Sequence, residues 1–199
     1  MRWIHFAAPV MVAIAAAAPV AAQQTSKSHQ FLEAVRDGEL GKVREILGQP
    51  GQRIIDTRDR STGEAGLHIA VKKRNLLFVR LLLANGGNPN VQDGQGNTAA
   101  MLAVEQNFPE AIDVLVRYKA NFNQGNARGE TPLIRAVQLR NVDMVRTLLA
   151  AGADPDKTDN MSGSSARDYA KSDSRNPVLL RLIETAPKPK AAAVSGPTG

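Results

Sequence analysis

Five apolar triads recur along the chain with one i, i+3, i+4 spacing: Val43/Ile46/Leu47, Val79/Leu82/Leu83, Ile112/Leu115/Val116, Val145/Leu148/Leu149 and Leu179/Leu182/Ile183. That spacing gathers three side chains on one face of an α-helix. Nine residues ahead of each triad stands an alanine, at Ala34, Ala70, Ala103, Ala136 and Ala170, so successive units are offset by 36, 33, 33 and 34 residues. Two markers that hold one register through four offsets make the chain a tandem array. Each unit is expected to hold a short helix centred on the alanine, a tight turn, and a longer helix carrying the triad. The starts of the short helices fall at Ala65, Thr98, Thr131 and Ser165, and three of these four carry a hydroxyl that can cap orphan N–H groups. Pro132 follows Thr131, where a missing N–H costs nothing. Gly86 and Gly152 suit a left-handed residue after the long helix, whereas the third unit places Lys119 there. That turn is either strained by about 1 kcal/mol or shaped differently. No single unit can bury its own apolar face, so stability must come from each unit covering the next.

The fourth unit, GETPLIRAVQLRNVDMVRTLLAAGADPDKTD, resembles the ankyrin consensus nearly throughout. The second, EAGLHIAVKKRNLLFVRLLLANGGNPNVQD, and the third, GNTAAMLAVEQNFPEAIDVLVRYKANFN, are similar to it, and the resemblance covers residues 30–186. The first, HQFLEAVRDGELGKVREIL, lacks the preceding hairpin and leaves through the longer GQPGQRIIDTRD; the fifth, SSARDYAKSDSRNPVLLRLIETA, is polar, with Arg167 at the consensus leucine position. Both ends read as caps. The resemblance implies an all-α ankyrin-repeat solenoid of stacked helix-turn-helix units joined by β-hairpin-like loops. Its units run about 30–61, 62–93, 94–126, 127–160 and 161–186.

Residues 1–22 have the pattern of a signal peptide. Arg2 gives a positive start, Ile4–Val20 is an uncharged Ala/Val/Ile-rich run broken by Pro9 and Pro19, and Val20 and Ala22 suit cleavage before Gln23. An uncut anchor in the inner membrane is the alternative, which the two prolines and weakly hydrophobic alanines disfavour. Residues 23–29 are expected as a flexible lead-in, and the Ala/Pro/Gly-rich 187–199 as a disordered tail. The chain has no cysteine, which excludes a disulfide framework and thiolate metal sites. Export without cysteine tilts the location towards a bacterial periplasm, with no stable membrane insertion after cleavage. The net charge is +6, but Arg2, Lys27, Lys188 and Lys190 lie in the flanks, so residues 30–186 carry 21 basic against 19 acidic residues. That near balance argues against nucleic acid as a partner.

Chemistry has few residues to stand on. His68 sits at the histidine of the ankyrin TPLHxA motif, which the family uses for hydrogen bonding between units, and His29 is expected to be solvated. Asp154, Asp156 and Asp159 alternate like a calcium loop, but a glutamate would be needed at 165, which is Ser165. No nucleophile–base–orienter set or phosphate-cradling loop can be assembled. The expectation is a monomeric, non-enzymatic chain with no metal and no cofactor, although an enzyme or metal protein stays open as an alternative.

Carried over residue by residue, the family's variable positions imply a concave binding face. It comprises Ser61, Thr62, Glu64, Lys72 and Lys73; then Gln95, Asn97, Glu105 and Gln106; then Arg128, Glu130, Gln138 and Leu139. The basic run Lys72-Lys73-Arg74, with Arg80 further on, reads as a solvated helix end, with an acidic patch of a protein partner as the alternative. A polar face of mixed sign with little aromatic content implies modest affinity.

Overall fold

The computed structural model describes residues 26–49, 54–173 and 175–186. The expectations for the signal segment, the first residues of the lead-in and the tail from Pro187 fall outside these. The described residues fold as ten α-helices: α1 (Lys27–Asp37), α2 (Leu40–Leu47), α3 (Gly66–Lys72), α4 (Leu76–Ala84), α5 (Ala99–Glu105), α6 (Pro109–Arg117), α7 (Pro132–Gln138), α8 (Val142–Ala150), α9 (Ala166–Ser172) and α10 (Pro177–Glu184). They pack as five consecutive pairs, and each pair stacks on the next through its first helix, α1 on α3, α3 on α5, α5 on α7 and α7 on α9. The second helices form an outer row, α4 on α6, α6 on α8 and α8 on α10. This is the expected solenoid.

The triads lie on the inner faces where the periodicity puts them, with Val116 exposed and Leu47, Leu149 and Leu182 only half-buried. Leu82, Leu115 and Leu148 are buried between pairs, as are Val79, Ile112, Val145, Leu179 and Ile183. Val116 is instead 43% exposed. One carbon shorter than Leu83 at the equivalent place in α4, it stops at the rim of a hollow between α6 and α8, while Val114 is buried from the same helix. The lead-in also ends sooner than expected: Ser26 Oγ accepts the His29 N–H at 3.3 Å, so α1 begins at Lys27. His29 lies on that helix and pairs with Glu33 at 3.0 Å.

Local chemistry sets the helix ends. Thr98, Thr131 and Ser165 cap as expected, accepting the Met101, Ile134 and Asp168 amides at 3.4, 3.3 and 3.2 Å. Ala65 has no acceptor to offer; its own N–H goes to His68 Nδ1 at 2.9 Å. Gly86 and Gly152 are left-handed, and so is Lys119 at φ 57°, which decides that turn for strain. A second left-handed position follows the first helix of each of the first four pairs, at Gly38, Arg74, Asn107 and Arg140.

Two ladders join the units. Asp59, Asp93, Asn126 and Asp159 open the hairpins, each side chain accepting turn amides, and antiparallel bridges such as Gln92 to Thr98 close them. The hairpins then stack through backbone bonds: Gly94 N–H to Thr62 O (2.9 Å), Ala127 N–H to Gln95 O (3.0 Å) and Asn160 N–H to Arg128 O (2.8 Å). Alongside runs a side-chain ladder, in which Asp56, Asn90 and Asn123 accept the amides of Asn88, Asn121 and Asp154 at 2.9, 2.7 and 2.7 Å.

Candidate functional site

Hairpin tips and the exposed edges of the first helices line one side of the stack. Between the second and third pairs they enclose a hollow of about 480 Å³, walled by Ser61, Thr62, Glu64, Lys72, Asp93, Gln95, Glu105 and Gln106, with Leu102 as the apolar floor. A smaller hollow of about 270 Å³ between the fourth and fifth pairs is lined by Arg128, Arg135, Gln138, Met161 and Tyr169. Most residues expected on a binding face are therefore brought together. Lys73 and Leu139 stand exposed at the ends of α3 and α7, next to Lys72 and Gln138.

Two of the thirteen, Asn97 and Glu130, border the two hollows but offer little surface to a contact. Asn97 is 5% and Glu130 6% exposed. They occupy the position just before the helix cap, where the chain turns inward, and their side chains hold the hairpins together. Asn126 Nδ2 donates to Asn97 Oδ1 and to Glu130 Oε2, each at 3.3 Å. These residues are framework for the face.

The charges on the face are mostly committed to one another. Lys72 Nζ lies 2.6 Å from Glu64, Arg128 Nη2 2.8 Å from Glu130, and Arg135 Nε 3.4 Å from Glu105, the last without hydrogen-bond geometry. The side chain of Arg128 is nonetheless 60% exposed, and Glu130 holds its guanidinium more firmly protonated than usual through a hydrogen bond and its charge. The basic run does not act as one patch. Arg74 donates to the Gln106 and Asn107 carbonyls at 2.7 and 2.9 Å and covers the Phe108 ring at 5.2 Å, which ties its pair to the next. Lys72 is paired with Glu64 and Arg80 belongs to α4, while Lys73 stands exposed beside them.

Titratable groups serve the hairpins. The Ser61 hydroxyl and amide, the Thr62 amide and Arg36 hold Asp59 well below the usual carboxylate range. The Tyr169 hydroxyl, 2.7 Å away, leads the donors that bring Asp159 down to about 2. Asp154 accepts the Asp156 amide at 2.9 Å, and Asp156 meets Arg167 in a two-pronged pair at 2.6 and 3.2 Å. The aspartates that suggested a calcium loop are thus spent on local and inter-unit bonds. Among the described residues no group of three His, Asp or Glu side chains is placed to hold a metal ion. His68 is fully buried and both ring nitrogens are engaged. With Nδ1 accepting, Nε2 carries the proton and shares it between Val91 O and Asn97 O at 3.0 Å each. Burial lowers its pKa, so the ring stays neutral and takes no part in proton transfer at the surface.

Tyr169, Met161 and Arg135 belong to the face but escaped the sequence reading. Met161 is 76% exposed and is the most exposed large apolar side chain among the described residues. The register that placed Arg128 reaches Met161 a further 33 residues on and could have found it.

A family model described as Ankyrin repeats (3 copies) matches residues 32–159, more than half of the chain. The chain belongs to the ankyrin-repeat family. Ankyrin repeats are protein-binding modules. The chain is 31% identical over 152 residues to a putative palmitoyltransferase of Danio rerio, covering 75% of this chain and 23% of that protein. It is 29% identical over 177 residues to the human ankyrin repeat domain-containing protein 63, covering 85% and 46%. It is 32% identical over 139 residues to the neurogenic locus notch homolog protein 1 of Xenopus laevis, covering 69% and 5%. The chain spans less than half the length of each of these relatives, and what they share with it is the ankyrin region. No described helix is long and apolar enough to cross a membrane.

Proposed function

We propose that this chain is an exported, non-catalytic binding module of four to five ankyrin repeats that acts in the periplasm as a monomer, stabilising or regulating an exported partner protein. The observation that carries the binding role is the face between hairpin tips and first helices. It brings Ser61, Lys72, Gln95, Gln106, Arg128 and Leu139 to one side of the stack with Tyr169 and Met161 at its far end. Because Lys72, Glu105 and Arg128 already have partners, contact there exchanges one polar bond for another, and affinity is modest. Export rests on the signal-like residues 1–22 and the absence of cysteine.

A photo-crosslinking residue at Gln106, compared with one at Arg117 on α6, tests the face in intact cells. Capture at Gln106 that is lost when Lys73 and Arg128 are both changed to alanine supports it, and equal capture from Arg117 overturns it. Sequencing the amino terminus of the purified protein tests export: Gln23 first supports release, and Met1 first supports the anchored alternative.

A further inference from the structure

The residue just before the alanine of each first helix sets the floor of the hollows on the face. In α3, α5, α7 and α9 that residue is Ile69, Leu102, Arg135 and Tyr169. Ile69 and Leu102 are buried and apolar, and Leu102 floors the larger hollow. In α7 the same position carries a guanidinium, which lines the smaller hollow together with the Tyr169 ring. The hairpin tips change in step: where Thr62 and Gln95 stand in the second and third units, the fourth and fifth have Arg128 and Met161. The larger hollow therefore has polar walls over an apolar floor, whereas the smaller one sets an arginine beside an exposed methionine and an aromatic ring.

The smaller hollow also contains two carboxylates, but they are turned inward. Glu130 and Asp159 are both buried. Glu130 holds Arg128 at 2.8 Å, and Asp159 accepts the Tyr169 hydroxyl and the Ser162 amide, each at 2.7 Å. A group entering the hollow meets the guanidiniums first. Arg135 is the more loosely held of the two: its Nε lies 3.4 Å from Glu105 without hydrogen-bond geometry, and its Nη1 reaches Gln138 Oε1 at 3.5 Å. Both contacts are long beside the roughly 2.7–2.9 Å of a charge-assisted bond, so an incoming carboxylate can take shorter, two-pronged bonds from this side chain. With its hydroxyl committed to Asp159, Tyr169 offers its ring, and the unbranched Met161 side chain adapts to apolar groups of different shape. In the larger hollow Glu64, Asp93 and Glu105 outnumber Lys72, which steers a carboxylate away from it.

We infer that the hollow between the fourth and fifth pairs is the anchor of the binding face and takes an Asp or Glu side chain of a protein partner with a large apolar side chain next to it, an assignment that rests on the protein-binding role proposed above. The carboxylate meets Arg135, and the apolar neighbour lies on Met161 and Tyr169.

The full chain and three variants, Arg135→Gln, Met161→Ser and the equal-charge control Arg117→Gln on α6, are each used to select from a displayed library of random short peptides. The full chain and Arg117→Gln should enrich peptides with Asp or Glu beside Leu, Ile, Met or Phe. In an enriched peptide, changing the acid to its amide should lower affinity about tenfold by fluorescence anisotropy, and Arg135→Gln should lower it as much. Met161→Ser, at an exposed tip, should keep the preference for the acid and lose that for the apolar neighbour. Enriched peptides without an acid, no enriched peptide at all, an affinity unmoved by Arg135→Gln, or an equal loss in Arg117→Gln overturns the assignment. Capture at Gln106 without any acid preference would leave the binding face standing and remove this anchor alone.

Discussion

His68 holds three backbone groups at once, taking the Ala65 N–H and giving its own proton to the carbonyls of Val91 and Asn97. His68→Ala would strand all three in a buried place, at an expected cost of about 2–4 kcal/mol in urea unfolding. The ring also gives stability a pH dependence of definite sign. Burial lowers its pKa, so its contribution is complete above the unfolded value of about 6.5 and is lost as pH falls towards the folded one. A second loss follows below about pH 4, where the carboxylates held low in the fold, Asp59, Asp159, Asp168 and Asp173, take up protons. His68→Gln should abolish the first stage and keep the second. Tyr169→Phe removes the strongest donor to Asp159, and an NMR titration should show that carboxyl moving from about 2 towards about 3.9. At Lys119 the sequence left strain or a different turn open, and the left-handed backbone decides it. Lys119→Gly should therefore stabilise the fold by about 0.5–1 kcal/mol.

Helices and their stacking were legible because the signal is periodic and each unit repeats it. Leu115 and Leu148 are buried as the triads required, and changing either to alanine should cost about 2–5 kcal/mol by denaturant titration. The hairpins were less legible. A site list built on family positions cannot distinguish Gln95, which faces outward, from Asn97, which lies two residues on and turns inward to meet Asn126. The periodic Asp59, Asp93, Asn126 and Asp159 carried the missing information, since side chains that fold back on their own turn amides fix which neighbours face inward. Val116 shows a limit of another kind: the helical period places it on the inner face, but whether a side chain is covered depends on its reach and its neighbour's shape. Two glycines test the same distinction. Gly86 is left-handed in open space, so Gly86→Ala should cost only backbone strain, about 1–2 kcal/mol. Gly96 is left-handed and abuts Ala127, so Gly96→Ala should cost clearly more in the same titration.

Across the whole molecule each pair is held by its two neighbours, and the end pairs have one neighbour each among the described residues. Amide hydrogen exchange should accordingly be slowest in α5–α8 and fastest in α1, α2 and α10, a gradient that a single cooperative core would not show. The repeat register was readable from spacing, whereas the candidate binding side came from the family resemblance. What the spacing could not carry is how completely the charged residues of that side are already paired, because ion pairs such as Arg135 with Glu105 join residues 30 apart on the stacked helices α7 and α5. The ladders also give the molecule a direction. In every backbone link between successive hairpins the later unit supplies the nitrogen and the earlier one the oxygen. Trimming from the carboxyl end frees backbone oxygens of the last remaining hairpin, and trimming from the amino end frees backbone amides of the first. Shortening the array from one terminus or from the other therefore leaves opposite backbone groups of the end hairpin to be met by water.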